Sequence, residues 1–156
     1  MQTRTHIDHA GPEDRSGIVQ LLATSGLGAD VPARTIGRWV VAREGSEIVA
    51  CGLLEISGAS GLIRAIAVAP SRRRRSIGST IVSVLLDDAA ELGVGTVFAF
   101  TRDAAGFFRR LRWQPARSAD AYTKLGIAPY ADTPVFAVTI SERASGSLDG
   151  ARLRTA

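Results

Sequence analysis

Four consecutive arginines occupy positions 72–75, shortly after Pro70 and directly before the segment Ser-Ile-Gly-Ser-Thr. The apolar run before them predicts a strand that ends at Val68, and an apolar stripe at helical spacing begins near Gly78. A helix N-terminus offers unpaired N–H groups and the positive end of the helix dipole, which together attract phosphate. Gly78 leaves the backbone open to a ligand, and arginine binds phosphate through forked hydrogen bonds. Hydroxyl groups that serve as helix caps or phosphate donors are available from Ser76, Ser79 and Thr80. The segment therefore predicts a site for a small phosphorylated ligand.

Two other interpretations of the arginine run stay open. A basic run of this kind can bind nucleic acid or act as a targeting signal, although such runs usually lie on exposed segments with few apolar neighbours. A loop that is only solvated is the second alternative. The formal net charge of +4, in which Lys124 is the only lysine, does not select a partner by itself. A nucleoside-triphosphate P-loop is excluded because its spaced Gly-Lys-Ser/Thr ending is missing.

Composition and cysteine content exclude several other classes of protein. With 46% apolar and 22% charged residues the chain has the balance of an ordinary globular domain. Cys51, the only cysteine, rules out an intrachain disulfide and a cysteine-based zinc site, and its apolar neighbours predict a buried, inert thiol. No apolar run reaches the roughly 18 residues of a membrane span or forms a signal peptide. We therefore expect a soluble, cytoplasmic protein without a metal, a membrane partner or a nucleic-acid partner.

Periodicity along the chain predicts the elements that position the arginine run. A short strand precedes a helix that starts at Pro12 and ends at Gly26, and a hairpin that turns at Glu44-Gly45-Ser46 follows it. A third strand ends before Pro70. The longest helix comes next and ends at Gly93, after which strand, short helix and strand follow. Hairpins mixed with crossovers indicate an α+β sheet with helices on both faces. We expect one domain over residues 1–140 and a flexible tail over residues 141–156.

The segment AIAVAPSRRRRSIGSTIV resembles motif A of the GNAT superfamily of acetyl-coenzyme A-dependent N-acetyltransferases. That motif is an apolar strand ending Val-x-Pro, followed by Arg/Gln-x-x-Gly-x-Gly/Ala at the start of a helix. Val68 and Pro70 match the strand end, Arg73 takes the Arg/Gln place and Gly78 takes the last glycine place. Ser76 stands where the family usually has glycine. The resemblance extends from about Thr3 to Ile140 because the order of elements is also that of the family.

The resemblance implies the GNAT fold, a central mixed and strongly twisted sheet of about seven strands with helices on both faces. It implies acetyl-CoA as cosubstrate, with the strand backbone at Ile66 and Val68 bonding the pantetheine arm and the loop N–H groups cradling the pyrophosphate. Whether Arg72 or Arg75 reaches the other phosphate stays open. The residues expected at the cofactor are Ile66, Ala67, Val68, Arg73, Arg74, Arg75, Ser76, Ile77, Gly78, Ser79, Thr80 and Phe108.

The chain departs from the family at several catalytic places. Many members protonate the leaving thiolate with a tyrosine in a Phe-Tyr-x-x-x-Gly-Phe pattern. Here Phe108 takes the tyrosine place and Arg112 takes the glycine place, so the usual acid is absent. Thr101 stands where many relatives have asparagine and is expected on the substrate side. Leu62 occupies the region in which a glutamate is often found.

In its charged strand residues the chain resembles the branch of amino-acid and arsenic-resistance-associated N-acetyltransferases. The matching residues are Glu55 on the predicted third strand and Arg64 on the fourth. The cysteine-containing segment of the arsenic branch is lacking. Glu55 either orients or deprotonates the amine or is a solvated strand end. Arg64 either binds a substrate carboxylate or pairs with a neighbouring acid. Tyr122 or Tyr130 is a candidate acid, and the Val68 amide is a candidate oxyanion donor.

The sequence thus predicts an N-acetyltransferase that acts on a small, carboxylate-bearing amine such as an amino acid or its analogue. The expected mechanism is direct attack in a ternary complex, in which orientation supplies much of the acceleration. The alternative is a GNAT-fold module that binds acetyl-CoA without turnover, as a sensor or a partner-binding protein. A homodimer is compatible with the resemblance.

Overall fold

The computed structural model describes residues 3–27, 37–127 and 133–140. The predicted tail, residues 28–36 and Tyr130 lie outside the described residues. Two short 3-10 turns, Pro12–Asp14 and Pro70–Arg72, precede the first and second helices. The strands are β1 Thr5–His9, β2 Gly37–Glu44, β3 Glu47–Ser57, β4 Ser60–Val68, β5 Thr96–Phe100, β6 Gln114–Ala116 and β7 Val135–Thr139. The helices are α1 Arg15–Thr24, α2 Ile77–Glu91, α3 Ala105–Arg110 and α4 Ser118–Leu125.

The strands form one seven-stranded sheet in the order β1-β2-β3-β4-β5-β7-β6. Strand β4 runs parallel to β5, whereas β2 is antiparallel to β1 and β3, and β7 is antiparallel to β5 and β6. The predicted mixed sheet of about seven strands is confirmed. The hairpin turn at Gly45 is confirmed too, with the positive φ of 61° that such a turn requires.

Two elements were absent from the predicted order. Strand β6 has three residues and helix α4 has eight, and both lie where periodicity indicated nothing. A three-residue strand is too short to show alternation, and α4 buries only Ala121 and Leu125. The sequence predicted that the long helix runs to Gly93, but α2 ends at Glu91, and Leu92 beyond it is 44% exposed.

One compact unit consists of residues 1–55 and 63–88. Adjacent residues of β3 face opposite sides of the sheet, as the period of two requires. Cys51 packs with α1 through Ile18 and Leu22, in a cluster of buried side chains. A Cβ at Gly52 would lie 2.6 Å from the Ile81 side chain, so α2 packs closely against the other face. Helices on both faces of the sheet are thereby confirmed.

Buried charges of this unit are paired. Asp14 accepts hydrogen bonds from the Arg43 guanidinium and, at 2.8 Å, from the Gly11 N–H. The Arg43 hydrogen bond holds the pKa of Asp14 at about 2, although burial acts in the opposite direction. Asp88 on α2 is also buried, with His9 Nε2 at 2.8 Å and Arg38 Nη1 at 3.3 Å from its carboxylate oxygens.

A second compact unit consists of residues 56–62 and 89–156. Its β5 and β7 pair from Thr96–Thr139 to Phe100–Val135. Buried side chains from its strands and from α4 form the core of this unit, namely Leu62, Phe98, Ala121, Leu125 and Val135.

Within the described ranges no helix is long and apolar enough to cross a membrane. The same residues contain no group of three or more histidine, cysteine, aspartate or glutamate side chains arranged to hold a metal ion.

Candidate functional site

Strand β4 leads into the arginine run, and its pairing and backbone conformation change along its length. Its first part pairs with β5 from Ser60 to Leu62. Further along, Ala65 has a φ of 56°, which interrupts the pleat because a residue with a Cβ rarely adopts the left-handed region. After Val68 the Ala69 N–H donates to the Val49 carbonyl at 2.8 Å, which fixes the end of the strand on β3.

The four arginines divide into two kinds. Arg72 Nε donates to Glu44 Oε2 at 2.6 Å, and Arg73 Nε donates to the Val68 carbonyl at 3.1 Å. Arg74 and Arg75 are exposed, and neither has a hydrogen bond or ion pair with another residue that the structure describes. Two of the four side chains therefore hold the loop, and two present exposed cations at its surface, of which Arg75 interacts through its charge with Glu44.

The loop backbone reaches helix α2 through two left-handed residues. Arg74 has a φ of 64° and Ser76 a φ of 60°. Ser76 is the residue at the family's glycine place, so the conformation that glycine adopts freely is kept here by a serine. The Arg112 backbone shows the same relation, because it has a φ of 65° at the other glycine place.

Helix α2 opens with three N–H groups that have no intrahelical acceptor. The first i to i−4 bond is from the Thr80 N–H to the Ser76 carbonyl at 3.1 Å, so the N–H groups of residues 77–79 precede it. The Ser79 and Thr80 hydroxyls donate to the same Ser76 carbonyl, each at 2.9 Å. These hydroxyls close the first turn, and their role as phosphate donors stays a prediction.

Glu55 and Arg64 lie together on the neighbouring strands β3 and β4. Arg64 Nε is 2.7 Å from Glu55 Oε1, and the side chains are 32% and 20% exposed respectively. Oε1 is buried but receives no aligned hydrogen bond, so the contact is an ion pair whose oxygen keeps its capacity to accept. The terminal nitrogens of Arg64 have no partner among the residues that the structure describes. Of the two interpretations of Arg64, the pair with a neighbouring acid is present, and it leaves a forked donor open.

The remaining candidates belong to the second unit. Phe108 is 5% exposed and packs with its ring centroid 4.9 Å from Trp113 and 6.0 Å from Phe136. Tyr122 on α4 stacks on Phe100 at 5.5 Å. Thr101 accepts the Ala104 N–H through Oγ1 at 2.9 Å and thereby shapes the turn before α3. Their roles as cofactor contact, acid and substrate contact stay predictions.

The Cys51 thiol is buried, and desolvation raises its pKa to about 12. Its Sγ donates to the Ala65 carbonyl at 3.4 Å. Because the thiolate is the nucleophilic form, this residue is inert at neutral pH, and the predicted buried thiol is confirmed.

Sequence reasoning missed Glu44, which is buried and accepts the Nε–H of Arg72. It is separated from Arg72 by 28 positions, and the sequence indicated only that it lies at a hairpin turn. The sole signal was indirect, since a run of four arginines next to a phosphate site invites a local counter-charge.

The sequence profile described as the acetyltransferase (GNAT) family matches residues 21–112. No curated protein matches the chain.

Solved structures with a similar fold include the following three proteins. N-acetylglutamate synthase from Neisseria gonorrhoeae, complexed with coenzyme A and N-acetyl-glutamate, has a TM-score of 0.72 and 15% identity over 90% of this chain and 36% of its own. Rv2747 from Mycobacterium tuberculosis, in complex with CoA, has a TM-score of 0.71 and 20% identity over 86% and 98%. The ribosomal-protein-S18-alanine N-acetyltransferase from Escherichia coli has a TM-score of 0.70 and 15% identity over 88% and 94%. At these identities the likeness shows the fold alone.

Proposed function

The chain belongs to the acetyltransferase (GNAT) family and is an acyltransferase, and from this premise we propose that it transfers acetyl from acetyl-CoA to the amine of a small carboxylate-bearing molecule. An amino acid or an amino-acid analogue fits this description. The observation that carries the proposal is the Glu55–Arg64 pair. It places a carboxylate beside a guanidinium whose terminal nitrogens have no partner among the described residues.

The arginine loop supports acetyl-CoA as cosubstrate. Three N–H groups at the start of α2 and the cations of Arg74 and Arg75 supply the donors and the positive charge that phosphates require. The backbone of residues 66–68 would bond the pantetheine arm in the manner of an added strand. The Val68 carbonyl, which accepts from Arg73 here, would exchange that side chain for a ligand N–H.

The Glu55–Arg64 pair supports an acceptor that carries both an amine and a carboxylate. The terminal nitrogens of Arg64 form a fork that binds carboxylate in two parallel hydrogen bonds. The Glu55 carboxylate, which is 20% exposed and whose Oε1 receives no hydrogen bond here, would orient the amine of the same molecule. The ammonium and carboxylate groups of an amino acid lie only a few bonds apart. The adjacent Glu55 carboxylate and Arg64 guanidinium therefore match its two charges.

Acetyl transfer needs little covalent participation from the chain. The Val68 amide would stabilise the negative charge that develops on the thioester oxygen, and Tyr122 would protonate the sulfur that leaves. Glu55 would accept the proton of the amine, directly or through water. The rest of the acceleration comes from holding amine and thioester in attack geometry within one ternary complex.

Three further predictions go with this proposal. Residues 1–140 act as one acetyltransferase domain, the protein works in the cytoplasm, and two copies form a homodimer.

Calorimetry with acetyl-CoA tests the first half of the proposal. We expect saturable binding by the wild type and weaker binding by Arg73→Glu, because a negative charge replaces a donor next to the phosphates. Absence of binding by the folded wild type would refute an acetyl-CoA enzyme and an acetyl-CoA sensor together.

Thiol release from acetyl-CoA tests the acceptor. Amino acids, their carboxamides and the corresponding decarboxylated amines form matched sets that differ only in the carboxylate. We expect turnover with the amino acids. Arg64→Gln should raise their KM by at least about tenfold, because the glutamine amide is uncharged and can replace only one of the two hydrogen bonds. Arg117→Gln removes an exposed arginine elsewhere and serves as the control.

Three results would contradict the acceptor assignment. Equal turnover of amines with and without the carboxylate would refute a carboxylate-bearing acceptor. If Arg64→Gln lowered the turnover of both kinds of amine equally, the role of Arg64 would be structural. Binding of acetyl-CoA without thiol release on any amine would favour the sensor, an alternative that the replacement of the family's tyrosine by the buried Phe108 keeps open.

A further inference from the structure

We propose that Glu44 is a positioning residue of the phosphate loop, and that it withdraws Arg72 from the ligand so that Arg74 and Arg75 alone read the 3′-phosphate of coenzyme A. The inference rests on the proposed function, since it assigns roles within the same acetyl-CoA site.

Glu44 uses both carboxylate oxygens. Oε2 accepts Arg72 Nε at 2.6 Å and Oε1 accepts the Thr5 hydroxyl at 3.1 Å. The Glu44 side chain is 6% exposed, whereas that of Arg72 is 27% exposed. The hydrogen bond from Arg72 holds the pKa of Glu44 below its ordinary value, so the carboxylate is charged at neutral pH.

A charged and buried carboxylate retains its partner. Removing the cation would leave Glu44 as an uncompensated buried anion, which is strongly unfavourable. Arg72 has a second tie, because Nη1 donates to the Ser71 hydroxyl at 2.9 Å. A phosphate arriving at the loop must therefore compete with two existing hydrogen bonds for Arg72. Among the described residues Arg74 has no such contact, and Arg75 has only a charge interaction with Glu44, without a hydrogen bond or a close ion pair.

The anchored side chain also fixes the backbone that leads into the site. The Arg72 N–H donates to the Ala69 carbonyl at 2.8 Å and closes the 3-10 turn directly after β4. The left-handed residues Arg74 and Ser76 follow within four positions, and the open N–H groups of α2 come next. Glu44 thereby ties the β2–β3 hairpin to the segment that aims those N–H groups.

Titration with coenzyme A and with dephospho-coenzyme A, which lacks the 3′-phosphate, separates the two roles. We expect Glu44→Gln and Arg72→Gln each to raise the Kd of both ligands by the same factor, about fivefold to tenfold. The double variant should be no weaker than the weaker single variant, because the two residues act as one unit. Arg74→Gln and Arg75→Gln should weaken coenzyme A and leave dephospho-coenzyme A within about twofold.

Kinetics distinguish positioning from a purely structural role. Glu44→Gln should raise the KM for acetyl-CoA and leave kcat at saturating acetyl-CoA unchanged, and Glu44→Asp, which keeps the charge, should recover part of the loss. Arg15→Gln removes an exposed arginine of α1 and serves as the charge control. If Glu44→Gln does not fold, the double variant Glu44→Gln/Arg72→Gln, which leaves neither charge unpaired, still carries the comparison of the two ligands.

Distinct outcomes overturn the inference. A selective loss of coenzyme A over dephospho-coenzyme A in Arg72→Gln would show that Arg72 itself reads the 3′-phosphate. A lower Tm for Glu44→Gln with unchanged affinity would make the pair structural only. A folded wild type that binds neither ligand would refute the proposed function, whereas wild-type binding with no change in the variants would refute only the role of Glu44.

Discussion

Replacing Ser76 with glycine should stabilise the protein relative to alanine at the same position. Ser76 has a φ of 60°, and the left-handed region costs a residue with a Cβ about 1–2 kcal/mol. Glycine avoids that cost but loses about 0.5–1 kcal/mol through its greater freedom in the unfolded chain. The difference leaves Ser76→Gly more stable than Ser76→Ala by roughly 0.5–1 kcal/mol. Alanine is the proper reference because the Ser76 hydroxyl makes no hydrogen bond with another described residue.

Arg73 supplies the matched control within the same loop. Its φ of −67° and ψ of 158° are extended backbone that any residue adopts. The change to glycine or to alanine removes the same hydrogen bond to Val68, so only the backbone terms differ. Arg73→Gly should therefore be less stable than Arg73→Ala by about 0.5–1 kcal/mol, the opposite sign to position 76.

Urea unfolding of the four variants measures both differences in the free energy of unfolding. Titration with acetyl-CoA then shows whether the conformation matters to the ligand, and Ser76→Gly should bind at least as tightly as the wild type. The same sign at both positions, or alanine as stable as glycine at position 76, would refute the argument that the left-handed backbone stores strain there.

Further predictions concern buried groups of the first unit, with one exposed glycine of the second unit as a control. The pKa of Asp14 is depressed to about 2, so its pair with Arg43 stabilises the fold above about pH 4, and that contribution is lost as the pH falls towards 2. Urea unfolding should show about 1–2 kcal/mol of acid-labile stability that Asp14→Asn lacks, and parallel pH profiles would contradict the assignment. Gly52→Ala should cost about 1–3 kcal/mol because the new Cβ meets Ile81 at 2.6 Å. Gly106→Ala, at an exposed position of helix α3, should instead stabilise by up to about 1 kcal/mol, and equal Tm shifts for the two variants would refute this packing argument. Cys51, with a pKa of about 12, should react with a thiol reagent only at the rate of unfolding, and rapid labelling of the native protein would count against its burial.

Local pattern determined most of the fold. Apolar residues run continuously along β3, which indicates a strand buried on both faces, and they recur at helical spacing along α2, which indicates one buried stripe. Pro70, Gly45 and Gly93 mark ends and turns because their backbone preferences are intrinsic to the residue. The type and order of residues 68–78 also indicated the phosphate loop, since a strand, a basic loop and a helix start lie next to each other in the chain.

Strand β6 and helix α4, which carry no periodic signal, depend on tertiary contacts. Strand β6 exists because Gln114–Ala116 pairs with β7, and helix α4 exists because Ala121 and Leu125 find a core to enter. In neither case does the segment carry enough apolar residues to specify its own conformation. Tertiary contacts supply the stability that the local sequence lacks.

The features of the candidate site also divide into those readable from the sequence and those that depend on the folded chain. That Ser76 and Arg112 occupy glycine places is readable in the sequence, but only the folded chain shows that both keep the left-handed backbone. Likewise, the composition of the run Arg72–Arg75 predicts affinity for phosphate. Which of these arginines can contact the phosphate depends on Glu44, which lies 28 positions from Arg72 and pairs with it. Charges separated along the chain meet only where the sheet brings them together, and burial then makes the pairing strong because water no longer screens it. Sequence determined the loop and its charge, and tertiary structure decided how that charge is shared between anchor and ligand.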